Sequence, residues 1–153
     1  MKQPVLDLDQ FLPYRLSVLS NTISGVLADA YSNRYGLTMP EWRVMAILGR
    51  FPGSYAAEVA ERGAMDKVAV SRAVSRLLEA GRIRRRFADA DRRRSILELS
   101  DEGWDIYRKI APVVLSYEAE LLAGLDPSER RQLDRLLRRL AIKARESAPP
   151  EVG

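Results

Sequence analysis

The chain has 153 residues, with 25 Lys+Arg against 21 Asp+Glu, no His, no Cys, 46% hydrophobic and 7% aromatic residues. That composition supplies one domain-sized core and excludes disulfide scaffolds, thiol catalysis, iron–sulfur clusters, nearly every zinc site and the His-dependent nucleophile pairs, so no metal or cofactor is expected. The net charge of +4 is concentrated in the middle: residues 54–100 hold 11 basic and 7 acidic side chains, against 5 and 4 in 1–53 and 9 and 10 in 101–153.

In chain order, apolar residues at Leu8, Leu12, Leu16, Leu19, Ile23, Val26 and Ala30 alternate steps of four and three. This spacing predicts a long helix from Leu8 that Pro13 starts or kinks and Gly36 ends. Thr38-Met39-Pro40-Glu41 is a capping box opening a second helix with Trp42, Met45, Ala46 and Leu48 inward, closed by Phe51-Pro52-Gly53. Ser54 is expected to cap a short third helix through Glu61, and Asp66 a fourth that runs to Ala80 with Val70, Val74, Leu77 and Leu78 buried. Residues 84–87 and 95–99 then read as two short strands around a polar tip, 88–94. Helix restarts at Ser100-Asp101-Glu102, with a bend predicted near Ala111 from Pro112. A second capping box, Asp126-Pro127-Ser128-Glu129, opens the last helix, which repeats Leu133, Leu136, Leu137 and Leu140. The fold class expected is mainly α with a small β-hairpin wing (α+β).

Short helix, turn, longer helix and basic hairpin is the order of a winged helix-turn-helix, whose second helix enters a major groove while the hairpin reaches a minor groove. On the fourth helix Lys67, Ser71, Arg72, Ser75 and Arg76 lie off the apolar stripe, offering cations to phosphate and short hydroxyls or guanidiniums to base edges. That face alone is equally the polar side of any amphipathic helix. The hairpin adds more. Between Arg82 and Arg94 stand seven arginines, 82, 84, 85, 86, 92, 93 and 94, against Asp89 and Asp91. Such density repels itself unless an anion is near, and arginine is favoured in narrow minor grooves. The same run in isolation would read as a solvated loop.

The segment from Gly36-Leu37-Thr38 through Gly103 resembles the MarR family of bacterial winged-helix regulators. The residues that carry the likeness are Glu41-Trp42-Arg43-Val44, Val70-Ser71-Arg72, Leu78-Glu79-Ala80-Gly81 with Ile83 and Arg85, the wing Asp91-Arg92-Arg93-Arg94, and Leu99-Ser100-Asp101-Glu102-Gly103. Ser100 stands where Thr is commoner. The likeness covers about residues 8–145 and implies one domain over 1–153, with a DNA-binding module at 37–100 and helical dimerisation arms at 8–35 and 102–145. It further implies a homodimer that binds a pseudo-palindromic double-stranded DNA operator through recognition helix 66–80 and wing 82–99. Arg93 matches the family's minor-groove arginine, Asp91 the acid that holds it, and Arg72 an arginine of the reading helix; the rest of the cluster, Arg82, Arg84, Arg85, Arg86, Arg92 and Arg94, would meet phosphate. Apart from any resemblance, the apolar stripes at 8–30 and 133–140 suit either a partner chain or each other.

The resemblance also implies a repressor released from DNA by a small aromatic or phenolic effector. Tyr14, Ser17, Trp42, Arg43 and Met45 are pocket candidates; Trp42 and Met45 suit the core better than a pocket, and Arg43 also suits a pairing with Glu41 or with a helix end. Without Cys or His, thiol and zinc sensing are not expected. Two other function classes compete: a sequence-neutral nucleic-acid binder, since a basic hairpin gives affinity without specificity, and a small enzyme using Glu58 and Glu61. The glutamates' i, i+3 spacing on a short helix is what solubility alone produces, so no enzyme is expected. No run of about 18 apolar residues exists, and Asp7 and Asp9 interrupt any leader-like stretch, which points to a soluble cytoplasmic protein without a membrane partner.

Overall fold

A computed structural model describes residues 3–88 and 91–151, the side chains of Ala88 and of Asp91 to Arg93 excepted. The elements in chain order are α1 (Leu12–Tyr35), α2 (Met39–Arg50), β1 (Ser54–Tyr55), α3 (Ala56–Gly63), α4 (Lys67–Glu79), β2 (Ile83–Ala88), β3 (Asp91–Leu99), α5 (Asp101–Leu122) and α6 (Pro127–Glu146). The mainly helical fold with a small antiparallel sheet is the one the sequence led us to expect.

The first helix starts later than its apolar stripe. Residues 8–10 form a turn in which the Gln10 N–H donates to the Asp7 carbonyl at 3.1 Å and the Asp9 N–H to Asp7 Oδ1 at 3.2 Å. Pro13 explains the correction: in a helix from Leu8 its ring would meet the carbonyl four residues back, whereas at the first turn of a helix from Leu12 it displaces nothing. Gly36 ends α1 in the left-handed region, φ 63°, with its N–H on the Ser32 carbonyl. Thr38 Oγ1 then accepts from the Glu41 N–H at 3.4 Å and opens α2.

Ser54 does not cap the third helix. It is buried in β1, pairs with Leu97, and donates its hydroxyl to the Phe51 carbonyl at 2.6 Å. Tyr55 is the residue at the helix boundary, its N–H donating to Glu58 Oε1 at 3.0 Å, and α3 continues to Gly63 rather than Glu61. Asp66 caps α4 as expected, Oδ1 accepting from the Ala69 N–H at 2.8 Å. The hairpin is longer than 84–87 and 95–99: pairing runs from Ile83↔Leu99 to Ala88↔Asp91, with an irregularity between Phe87 and Ala88, and β1 adds a third strand in the order β1-β3-β2. Arginine at successive positions hides the period of two that marks a strand.

The chain divides into two compact units, Met1–Val114 and Leu115–Gly153. In the first, Leu37, Val44, Met45, Leu48, Val59, Val70, Leu77, Leu97, Leu99 and Ile110 make a fully buried core between the helices and the sheet. An aromatic stack runs through it: Trp42 lies 5.9 Å from both the Tyr31 and the Tyr107 rings, and Trp104 meets Tyr107 edge-on at 5.5 Å. In the second, Asp126 and Glu129 form the expected reciprocal cap of α6, at 2.8 and 3.1 Å. Arg130 Nε donates to the Leu122 and Leu125 carbonyls at 3.0 and 3.1 Å, closing the end of α5. No residue of α6 is buried in the single chain. Among the described residues no helix is long and apolar enough to cross a membrane.

Candidate nucleic-acid interface

The candidate surface is built on α4. Val70, Ala73 and Leu77 are buried against the core, and Val74 is half-buried. With about 100° between successive residues, that stripe turns Lys67, Val68, Ser71, Arg72, Ser75 and Arg76 outward, and all six are exposed.

The hairpin contributes by alternation. Counting in twos from buried Ile83 puts Arg85 on the core-side face of β2, and Arg84 and Arg86 on the other. Arg84 accordingly faces its cross-strand neighbour Glu98, Nη2 to Oε1 3.9 Å, and Arg86 lies opposite Ile96. Arg85 instead joins Lys67, Ser71 and Ser75 of α4 and Ser95 of β3 around a cleft of about 340 Å³ whose floor is Val70, Val74 and the alanines of α3. Two cations and three hydroxyls face one groove there, a donor-rich lining suited to an anion. Sequence reasoning counted Arg85 only as one of a cluster and passed over Ser95 and Val68. The buried Ile83 sets the parity that would have singled out Arg85.

A second cleft, about 310 Å³, is lined by Thr38, Pro40 and Glu41 of α2 and by Ala69, Arg72, Ala73 and Arg76 of α4. Arg76 Nη1 lies 3.6 Å from Glu41 Oε1, with the Arg76 side chain 63% exposed and that of Glu41 8%. Arg76 is therefore both a surface cation and the counter-charge of a buried carboxylate. Arg82 is tied inward, donating from Nη2 to the Tyr35 carbonyl at 2.8 Å. Arg94 lies over the Tyr55 ring at 5.5 Å. The side chains of Asp91, Arg92 and Arg93 lie outside the described residues.

The five effector-pocket candidates do not converge on either cleft. Trp42 and Met45 are buried in the core, the second of the two roles open to them. Of the two partners open to Arg43 the structure shows the helix end: its Nη1 donates to the carbonyl of Gly63, the last residue of α3, at 3.4 Å, while Glu41 faces Arg76. Tyr14 and Ser17 are exposed on α1. Burial pushes the Tyr31 phenol up from its ordinary value, and the nearby Arg43 charge pulls it partly back.

A model of the MarR family matches residues 35–94, which span α2 to the wing. An HTH-type transcriptional repressor of Mycobacterium tuberculosis is 28% identical over 131 residues, covering 85% of this chain and 91% of the relative. The crystal structure of a MarR/EmrR family transcriptional regulator from Acinetobacter sp. ADP1 superposes with a TM-score of 0.84 at 25% identity, over 93% of this chain and all of the other. That of the PcaV transcriptional regulator from Streptomyces coelicolor, in complex with its natural ligand, gives 0.77 at 27% identity over 93% and 99%.

Proposed function

We propose that this chain, whose residues 35–94 match the MarR family of transcriptional regulators, is a homodimeric repressor that reads a pseudo-palindromic operator, with α4 in a major groove and the β2–β3 wing along the neighbouring minor groove. One observation carries the reading: Lys67, Ser71 and Ser75 of α4 and Arg85 and Ser95 of the wing line a single cleft. A DNA strand passing between recognition helix and wing meets hydrogen-bond donors from both there, so the two elements act as one surface. Arg72 projects beside that row toward the bases, and Arg84, Arg86, Arg92 and Arg94 add phosphate contacts. Arg93, with Asp91 beside it in sequence, supplies the minor-groove contact.

We further propose that a small aromatic effector releases the protein from DNA; that a small molecule can be bound at all is supported by the PcaV neighbour, solved in complex with its natural ligand. Arg43, half-buried and close enough to Tyr31 to act on its phenol, is the cation available to an aromatic carboxylate, with Tyr14 and Ser17 on the same helix as Tyr31.

The test is selection from random duplex DNA with excess competitor. A two-fold symmetric motif with half-sites about one helical turn apart is expected, and Arg93→Ala should then weaken binding to it by about 1–3 kcal/mol with the dimer intact. Survivors without a motif would leave only sequence-neutral affinity and overturn the operator.

A further inference from the structure

We infer that Val68 reads the C5-methyl group of one thymine in each operator half-site, an inference that rests on the sequence-specific reading above. Val68 is 60% exposed and contributes nothing to the core. It occupies the second position of α4, directly opposite the buried stripe of Val70, Ala73 and Leu77. A β-branched residue is a mediocre helix former, and valine at a water-facing helical position serves neither helix stability nor solubility. A lone exposed apolar side chain is ordinary on a protein surface; this one opens an otherwise polar row.

That row is Val68, Ser71, Arg72 and Ser75, spaced i, i+3, i+4 and i+7. Ser71, Arg72 and Ser75 can exchange hydrogen bonds with base edges or phosphates. The major-groove feature that hydrogen bonding does not read is the thymine methyl, for which a short branched apolar side chain is the matching surface. Valine is too short to act at a distance, and the first turn of a recognition helix is where the chain comes nearest the bases. At the far end of the same face Glu79, exposed and anionic, disfavours close approach to phosphate, so the helix enters N-terminus first.

The experiment starts from the duplex selected above and replaces each thymine in turn with deoxyuridine, which removes the methyl and leaves every hydrogen-bonding group. Affinities are measured for the parent protein and for Val68→Ala. In the parent, one position per half-site should lose about fourfold on replacement, the worth of one buried methyl. Val68→Ala, which alters both protomers, should lose about the square of that factor on the thymine duplex, roughly sixteenfold, and be indifferent to deoxyuridine at that position, with the fold kept and unfolding unchanged or slightly harder because alanine is the better helix former at an exposed site. A motif bound equally well by parent and variant overturns the inference and leaves the operator reading standing. A variant that is weakened yet keeps the parent's full deoxyuridine response also overturns it, since Val68 would then touch something other than the methyl. A pool that yields no motif sinks the operator reading and this inference with it.

Discussion

At the scale of single residues, the pairing of Glu41 with Arg76 ties the core to the outward face of α4. Glu41 is buried, and its counter-charge comes from the outward face of α4. Removing Arg76 strands a desolvated carboxylate, but the 3.6 Å pair is open to water on the arginine side, which screens most of the effect. We expect Arg76→Ala to lower unfolding free energy by about 1 kcal/mol in chemical denaturation, whereas Arg84→Ala, paired at 3.9 Å with a half-exposed Glu98, changes it little. Gly103 is stricter: a Cβ there would be driven into the Arg82 carbonyl where α5 leaves the sheet. Gly103→Ala should therefore destabilise by about 2 kcal/mol or more, read as a fall in melting temperature. Tyr31 sets a pH limit. Its folded-state pKa is raised by burial, so its contribution is complete below about pH 10 and is lost as pH rises through the folded value. A parent that loses stability from pH 9 to 11 no faster than Tyr31→Phe would show that the phenol does not matter.

At the scale of elements, the wing separates what sequence makes visible from what it hides. Gly36, Thr38, Asp66 and the Asp126 box announce helix ends because each meets orphan backbone groups of its own helix, a local affair; the Thr38 box forms only by half, since Glu41 faces Arg76. Ser54 misled because its partner strand lies more than forty residues away at Leu97, and no local propensity reports that. The same non-local pairing decides which arginines share a face. From sequence the run 84–86 is one undifferentiated charge; in the sheet Arg85 turns to the α4 cleft while Arg84 turns to Glu98. Clustered cations were thus legible as a class of partner, but the geometry that ranks them was not. Arg85→Ala should reduce operator affinity uniformly across sequences and flatten its salt dependence by about two for a dimer. Arg84→Ala, already partly neutralised, should change it by less than half as much; equal slopes for the two variants would remove the distinction.

At the scale of the whole molecule, the distribution of apolar surface bears on assembly. In the single chain α6 buries no residue, and Leu133, Leu136, Leu137, Leu140 and Ile142 stay 39%, 46%, 48%, 43% and 52% exposed. A helix of 20 residues with such a stripe gains too little from propensity alone to hold its shape in water, so the stripe calls for a second surface. If a second copy provides it, dimerisation and DNA affinity are coupled. Two modules held on one frame meet their half-sites at an effective concentration near the millimolar range, and one module alone loses that gain. Leu136→Glu with Leu140→Glu should then give a species of 17.3 kDa by sedimentation where the parent gives twice that mass. Its residual DNA binding should keep the residue contacts of one module but lose the two-fold motif, and the salt slope should fall to about half, because slope counts phosphates met per complex. A parent chain that sediments as a monomer at micromolar concentration while still selecting a symmetric motif would break this coupling, and would assign the symmetry to two modules bound independently on DNA.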